Sequence, residues 1–324
     1  MPNPPSFSFG ARVELVVRRY RRALLCIPAL ASGARLDEKD LLGQGAAPTE
    51  AKFSLDEHLA YLLNQRVITG DRPLLAFGMR NSLVNLRCPV ILDGRVHAVA
   101  GEDPQRSRRP YYGIGARDGR LVMGQTLGDA QEDWSAADFF CAAVPVLDDR
   151  LDQPALLDAI LTEAADHSHV YDLPRGNHPL ATDATRTAWA QLHDAFTANL
   201  YTDRPRAATA MRTALAGLDP APSRCADYLN CVLGIGPAGE LVCVFAHGLL
   251  EAVGRQAGLL GAERAVCVEN SGSIMPTFLP EGADGERIPL LRAPNFRPKG
   301  RALLVIELTT SGFDSLAEGD LRYQ

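Results

Sequence analysis

The chain has no Cys-x-x-Cys pair, and its seven cysteines, at positions 26, 88, 141, 225, 231, 243 and 267, are odd in number. Neither a disulfide framework nor a thiolate zinc site follows from that spacing. Cys26, Cys88, Cys243 and Cys267 lie in apolar runs, where cysteine behaves as a small buried hydrophobe. No apolar run reaches the length of a membrane helix, and no basic stretch leading into an apolar core opens the chain. Surplus positive charge is lacking as well, since the formal net charge is -6. That balance argues against nucleic acid and against an anionic membrane as partners. The local basic clusters, Arg18-Arg19 with Arg21-Arg22 and Arg106 with Arg108-Arg109, read as solvated faces. The expectation is a soluble, cytoplasmic protein. No P-loop, nucleophile elbow or zincin helix occurs. Gly113 and Gly115 lack the third glycine of a dinucleotide fingerprint and run into a hairpin turn, so that reading is set aside.

What is present suffices for a sizeable core, with 46% hydrophobic and 22% charged residues. Val13 to Ile27 reads as strands. Ser54 followed by Glu57 has the capping-box spacing, and Leu55, Leu59, Leu62 and Leu63 repeat at helical intervals, which predicts a helix over 55–66. PVILDGRVHAV and YYGIGARDGRLVMG each read as a hairpin closed by Asp-Gly, at Asp93-Gly94 and Asp118-Gly119. Two such units close together favour an antiparallel sheet over repeated strand–helix crossovers. Residues from about 150 to 222 show helical periodicity and read as an insertion into one catalytic-type domain spanning 1–324. Strands resume over Cys231–Ile235 and Leu241–Ala246, and a helix stopped by Gly261 follows. IPLL and ALLVIEL supply the last two strands, and the residues from Thr309 onward read as a loose polar tail. The fold class expected is α+β, with a mixed or antiparallel sheet core and a helical insertion.

The chemistry concentrates in AERAVCVENSGSIMP. A short apolar strand, Ala265 to Val268, runs into a polar loop of Glu269, Asn270, Ser271, Gly272 and Ser273. Rigid elements often present polar groups at their ends, which is how sites are built, although the same residues also make ordinary turns.

With those elements in place, the chain resembles the phosphodiester glycosidase family. This is the family of the enzyme that removes N-acetylglucosamine from its phosphodiester. NCVLGIGPAGELVCVFAHG, the helix after it and the strand ending at Glu269 are similar to a family segment that ends in a D-G-G-G-S loop. PLLAFGMRNSLVN, PVILDGRV and YYGIGARDGRLVMG are similar to its N-terminal strand, N-G-G loop and hairpins. The polar positions depart from the family pattern. Its Asp is Glu269, two of its glycines are Asn270 and Ser271, its Asn-Gly-Gly stands as Arg80-Asn81-Ser82, and an Arg stands as Asn230. Side chains at 270 and 271 narrow the close backbone approach that a glycine loop offers a phosphate. Losing the Arg removes a bidentate phosphate partner.

The resemblance implies a hydrolase that cleaves a glycosyl phosphodiester, with a small-molecule substrate; the residues themselves assign no cofactor and no metal ligand. Glu269 is the candidate general acid or base, with His247 as its proton-transfer partner. Ser271, Gly272, Ser273 and Asn270 are candidate oxyanion or phosphate donors. Arg80, Asn81, Ser82 and Asn230 are candidates for the rest of the pocket. His169, in HSHVYDLPRGNH, is a candidate substrate contact from a lid. That cluster matches no standard metal site. Two alternatives stand beside hydrolysis. One is a tailoring enzyme that uses the same pocket for cyclisation or elimination. The other is a ligand-binding protein without activity.

Overall fold

A computed structural model describes residues 12–28, 53–79, 90–92, 94–97, 111–151, 229–247, 250–270, 274, 276–291, 299–300, 302–309 and 321–323. The expected helical insertion lies outside the described residues. The strands run in order as β1 (Val13–Val17), β2 (Tyr20–Cys26), β3 (Phe53–Ser54), β4 (Leu74–Met79), β5 (Val90–Leu92), β6 (Arg95–His97), β7 (Tyr112–Arg117), β8 (Arg120–Gln125), β9 (Phe139–Ala142) and β10 (Val144–Asp148). They continue as β11 (Leu229–Ile235), β12 (Leu241–His247), β13 (Arg264–Asn270), β14 (Thr277–Leu279), β15 (Ile288–Pro289), β16 (Lys299–Gly300), β17 (Ala302–Leu308) and β18 (Leu321–Tyr323). Among the described residues two helices accompany them, α1 (Leu55–Asn64) and α2 (Leu250–Leu259).

Among the described residues these strands form four sheets. The first is ordered β10-β13-β11-β12-β1-β18, the second β15-β14-β4-β17-β2 and the third β6-β5-β9-β7-β8; β16 and β3 form a small fourth. Every ladder between named strands is antiparallel, and a parallel bridge joins Gln125 to Gln131. The described part is therefore α+β or mostly β, built from antiparallel rather than mixed sheets. Between the first three sheets lies the main core. Phe77 of β4 stacks on Phe245 of β12 with ring centroids 5.9 Å apart.

Local chemistry explains the elements that frame this core. Ser54 caps α1: its hydroxyl accepts from the Glu57 N–H at 3.2 Å, and the Glu57 carboxylate accepts from the Ser54 N–H at 2.6 Å. The helix lays Leu59 and Leu62 on the outer face of the second sheet, against Leu74, Leu303 and Val305. Asp118 and Gly119 both adopt positive φ, 49° and 73°, and their turn matches the twist of the β7–β8 hairpin. Gly115 is required by close packing, because a Cβ there would overlap the Phe139 carbonyl and the Trp134 ring. Packing under a neighbouring strand, not phosphate binding, accounts for that glycine. At the end of α2, Ala262 N–H donates to Ala257 O and Gly261 N–H to Gly258 O, with Gly261 at φ 99°. These are the paired bonds of a Schellman stop.

Two expectations need correction. The tail beyond Thr309 is not wholly loose, since Leu321–Tyr323 adds a strand to β1. Arg21 and Arg22 are also more than a solvated face, although both side chains stay partly exposed. Both form ion pairs with the buried Glu307 of β17, a long-range partner that no local pattern announces.

Candidate functional site

The strand that carries Glu269 is longer than its apolar run. β13 extends through Glu269 and Asn270, so neither belongs to the loop expected there. Both pair with β11, Glu269 opposite Cys231 and Asn270 opposite Asn230. Between those pairs and the Val232–Cys267 pair the register shifts by one residue, and Val268 is the extra one. Such a bulge exchanges the faces of everything beyond it. Counting back from Val266, strict alternation would put Glu269 on the side covered by α2. The bulge turns it instead to the face of Cys231 and Phe245, toward the second sheet.

Buried thiols lie close to Glu269. It is 4% exposed, and its Oε2 is sealed from solvent. Cys231 lies directly across the ladder and is itself sealed. Burial, with the neighbouring Cys243, Cys267 and Glu269, pushes its thiol well above the usual range. Burial likewise raises Cys243. These thiols therefore stay protonated at neutral pH and act as small hydrophobes, not as nucleophiles. Five cysteines of the described residues (26, 141, 231, 243 and 267) are buried free thiols.

His247 is the last residue of β12 and pairs with Leu229 of β11. Its register position is on the same face as Glu269 and at the same end of the sheet. It is two strands across and two residues along, a Cα separation of roughly 12 Å from standard sheet spacings. Asn230 is fully buried and lies on the opposite face of the sheet, the one α2 packs against. Asn270 takes the register position across from it. The bulge thus divides the candidates, leaving Glu269 and His247 on the inner face and Asn230 and Asn270 on the outer one.

Arg80, Asn81, Ser82, Ser271, Gly272, Ser273 and His169 lie outside the described residues. Beside the first two of these segments, Gly78 N–H donates to Ile274 O at 2.6 Å. The end of β4 and the chain that follows β13 are thus held together there. Among the described residues no cluster of three or more His, Cys, Asp or Glu could hold a metal, and no helix is long and apolar enough to cross a membrane.

Sequence reasoning missed a buried polar network at the far end of β13, roughly 17 Å along the strand from Glu269. Asp148 of β10 is 3% exposed. It accepts from the Tyr112 hydroxyl and, through both oxygens, from Arg150 at 3.0 and 2.8 Å. Arg150 also donates to Glu132 at 2.6 Å, and Arg264 meets the same carboxylate at 3.2 Å. Burial raises the Tyr112 hydroxyl well above its usual range, and the adjacent Asp148 adds to the shift. Each charge here has a charged partner, so the network clamps the first sheet to the third and leaves no group poised for proton transfer. Apart from the neighbouring Asp148 and Arg150, its members lie far apart in sequence, with no signature that could have joined them.

No family model and no curated protein matches the chain. Among solved structures, it is similar to the catalytic domain of zebrafish N-acetylglucosamine-1-phosphodiester alpha-N-acetylglucosaminidase auto-inhibited by its pro-peptide. The TM-score is 0.41 at 10% identity, covering 92% of this chain and 73% of that one. A hypothetical protein from Synechocystis has a TM-score of 0.30 at 10% identity, covering 93% of this chain and 60% of that one.

Proposed function

We propose that the chain is an enzyme of the phosphodiester glycosidase type, acting on a small phosphorylated or glycosylated metabolite, with Glu269 as its acid–base group. One observation carries the reading: a β-bulge places a buried carboxylate on the inner face of a sheet, at the end where β12 terminates in His247. A carboxylate held out of water has its protonation equilibrium shifted toward neutral pH, which suits a general acid or base. The sequence resemblance supplies the reaction class. In the hydrolysis, a water oxygen bonds to the anomeric carbon as the bond from that carbon to the phosphate oxygen breaks. The Glu269 carboxylate takes the water proton, and the phosphomonoester leaves with the bonding electron pair. His247 serves the departing oxygen. Because Glu269 is 4% exposed, residues above it must give way before substrate reaches it.

The test is release of free sugar from a panel of glycosyl phosphodiesters, including an N-acetylglucosamine 1-phosphodiester. Wild-type protein is expected to turn over at least one. Glu269→Gln should lower kcat by a factor of about 100 to 10,000, the usual worth of a positioned acid–base group. Near wild-type turnover by the folded Glu269→Gln protein removes the acid–base role. Failure of the whole panel removes the reaction class.

A further inference from the structure

At the end of the second sheet away from Glu269, three guanidinium groups converge on one sealed carboxylate. Glu307 of β17 is fully buried and pairs across the ladder with Leu74, at the start of β4. Arg22 Nε donates to its Oε2 at 2.7 Å, and Arg21 Nη1 to its Oε1 at 3.1 Å. Arg72 Nε stands 3.0 Å from the same Oε1. One arginine fork would satisfy a buried carboxylate. Here three gather, yet their side chains remain 48%, 33% and 38% exposed for Arg21, Arg22 and Arg72. Arg22 is further tied to the Val67 carbonyl. Arg21 meets Glu307 through Nη1 and Arg72 through Nε, and each guanidinium has five N–H donors. One more acid enters the cluster. Asp71 is fully exposed, and its carboxyl is held below the ordinary range by the Thr69 hydroxyl, with smaller contributions from Arg72 and Arg21. Three cations against two carboxylates leave one positive charge in surplus.

A buried ion pair is a poor way to gain stability, since apolar residues of similar volume usually do as well. What Glu307 does is fix two outward guanidinium forks at one place on the surface. We propose that Arg21 and Arg72 form a binding site for a phosphate-class oxyanion, pre-organised by Glu307. A tetrahedral oxyanion can accept from both forks at once, and the ordering cost of both arginines is already met on folding. The site is independent of the chemistry proposed at Glu269, because β4 separates the two ends by roughly 17 Å.

The experiment is a calorimetric titration of the full chain at fixed ionic strength, with inorganic phosphate, with a sugar phosphomonoester and with chloride as the reference. Saturable binding of phosphate but not chloride is expected. Arg21→Gln should weaken it at least tenfold, while Arg19→Gln, an exposed neighbour, leaves it unchanged. If Arg21→Gln does not fold, Arg72→Gln takes its place, and Arg21→Lys tests the loss of the fork with the charge retained. Tighter binding of the sugar phosphate than of phosphate supports the site and assigns it to a larger ligand. Equal binding supports it as a site for the free oxyanion. Phosphate binding no stronger than chloride, or equal binding by wild type and the Arg21 and Arg72 variants, overturns the proposal.

Discussion

Lowering the pH from 8 to 5 should weaken this fold through one histidine. His58 sits in α1 with no exposed surface, its Nε2 3.0 Å from the Gly300 carbonyl oxygen. A carbonyl can only accept, so Nε2 carries a proton, and burial keeps the second nitrogen of the ring, Nδ1, unprotonated at neutral pH. The Phe53 ring packs against it in an edge-on arrangement with centroids 5.6 Å apart. Burial lowers its pKa from 6.5 to about 4, against the smaller upward pull of the Gly300 carbonyl and Glu57. The unfolded chain therefore takes up a proton near pH 6.5, whereas the folded protein resists until about pH 4. Above pH 6.5 both states are neutral and the group contributes no pH dependence. As pH falls through that window the unfolded state is favoved progressively, by about 2 kcal/mol at pH 5 and about 3 kcal/mol below pH 4. Urea midpoints read by fluorescence at intervals between pH 4.5 and 8 measure this directly. The comparison is with His58→Gln, which can still donate to Gly300 and does not titrate in this range. The wild type should lose stability relative to the variant as the pH drops. Parallel curves, or a wild type that gains on acidification, would refute the reasoning.

Two further substitutions probe the frame. Ser54→Ala removes the side-chain half of the capping box and should cost about 1 kcal/mol, read as a lower urea midpoint with an unchanged slope. Gly115→Ala drives a methyl group into the Phe139 carbonyl and Trp134, and should cost about 1–3 kcal/mol as overpacking; a neutral effect in a thermal melt would show that the β7–β9 contact has room to spare.

The features legible in the sequence were those whose chemistry is local. Asp118-Gly119 turns the chain because its residues tolerate positive φ, and Ser54 with Glu57 caps a helix within a single turn. Gly261 stops α2 for the same kind of reason. Features fixed by distant partners were not legible. β18 is three residues long and exists only as a pairing with β1, so its composition reads as tail. Arg21 and Arg22 look like surface charge until Glu307, more than 280 positions away, is folded against them. The same holds for the hydroxyl that Tyr112 gives Asp148 from 36 positions away, and for the carboxylate of Glu132 that Arg150 meets.

Glu269 lies on the boundary between these two cases. The sequence marks it as a carboxylate at the end of an apolar run, and that much is local. Its orientation is not local, because in a strand every added residue exchanges the faces. An unbroken count along β13 sends Glu269 toward α2, beside Asn230; the bulge at Val268 sends it to the inner face with Cys231. Nothing about valine announces a bulge, since it is an ordinary strand residue. The bulge arises only because β11 and β13 must pair on both sides of it. The residue on which the functional reading depends is thus placed by an irregularity that contributes no chemistry of its own. That agrees with the tendency of bulges to re-aim a side chain.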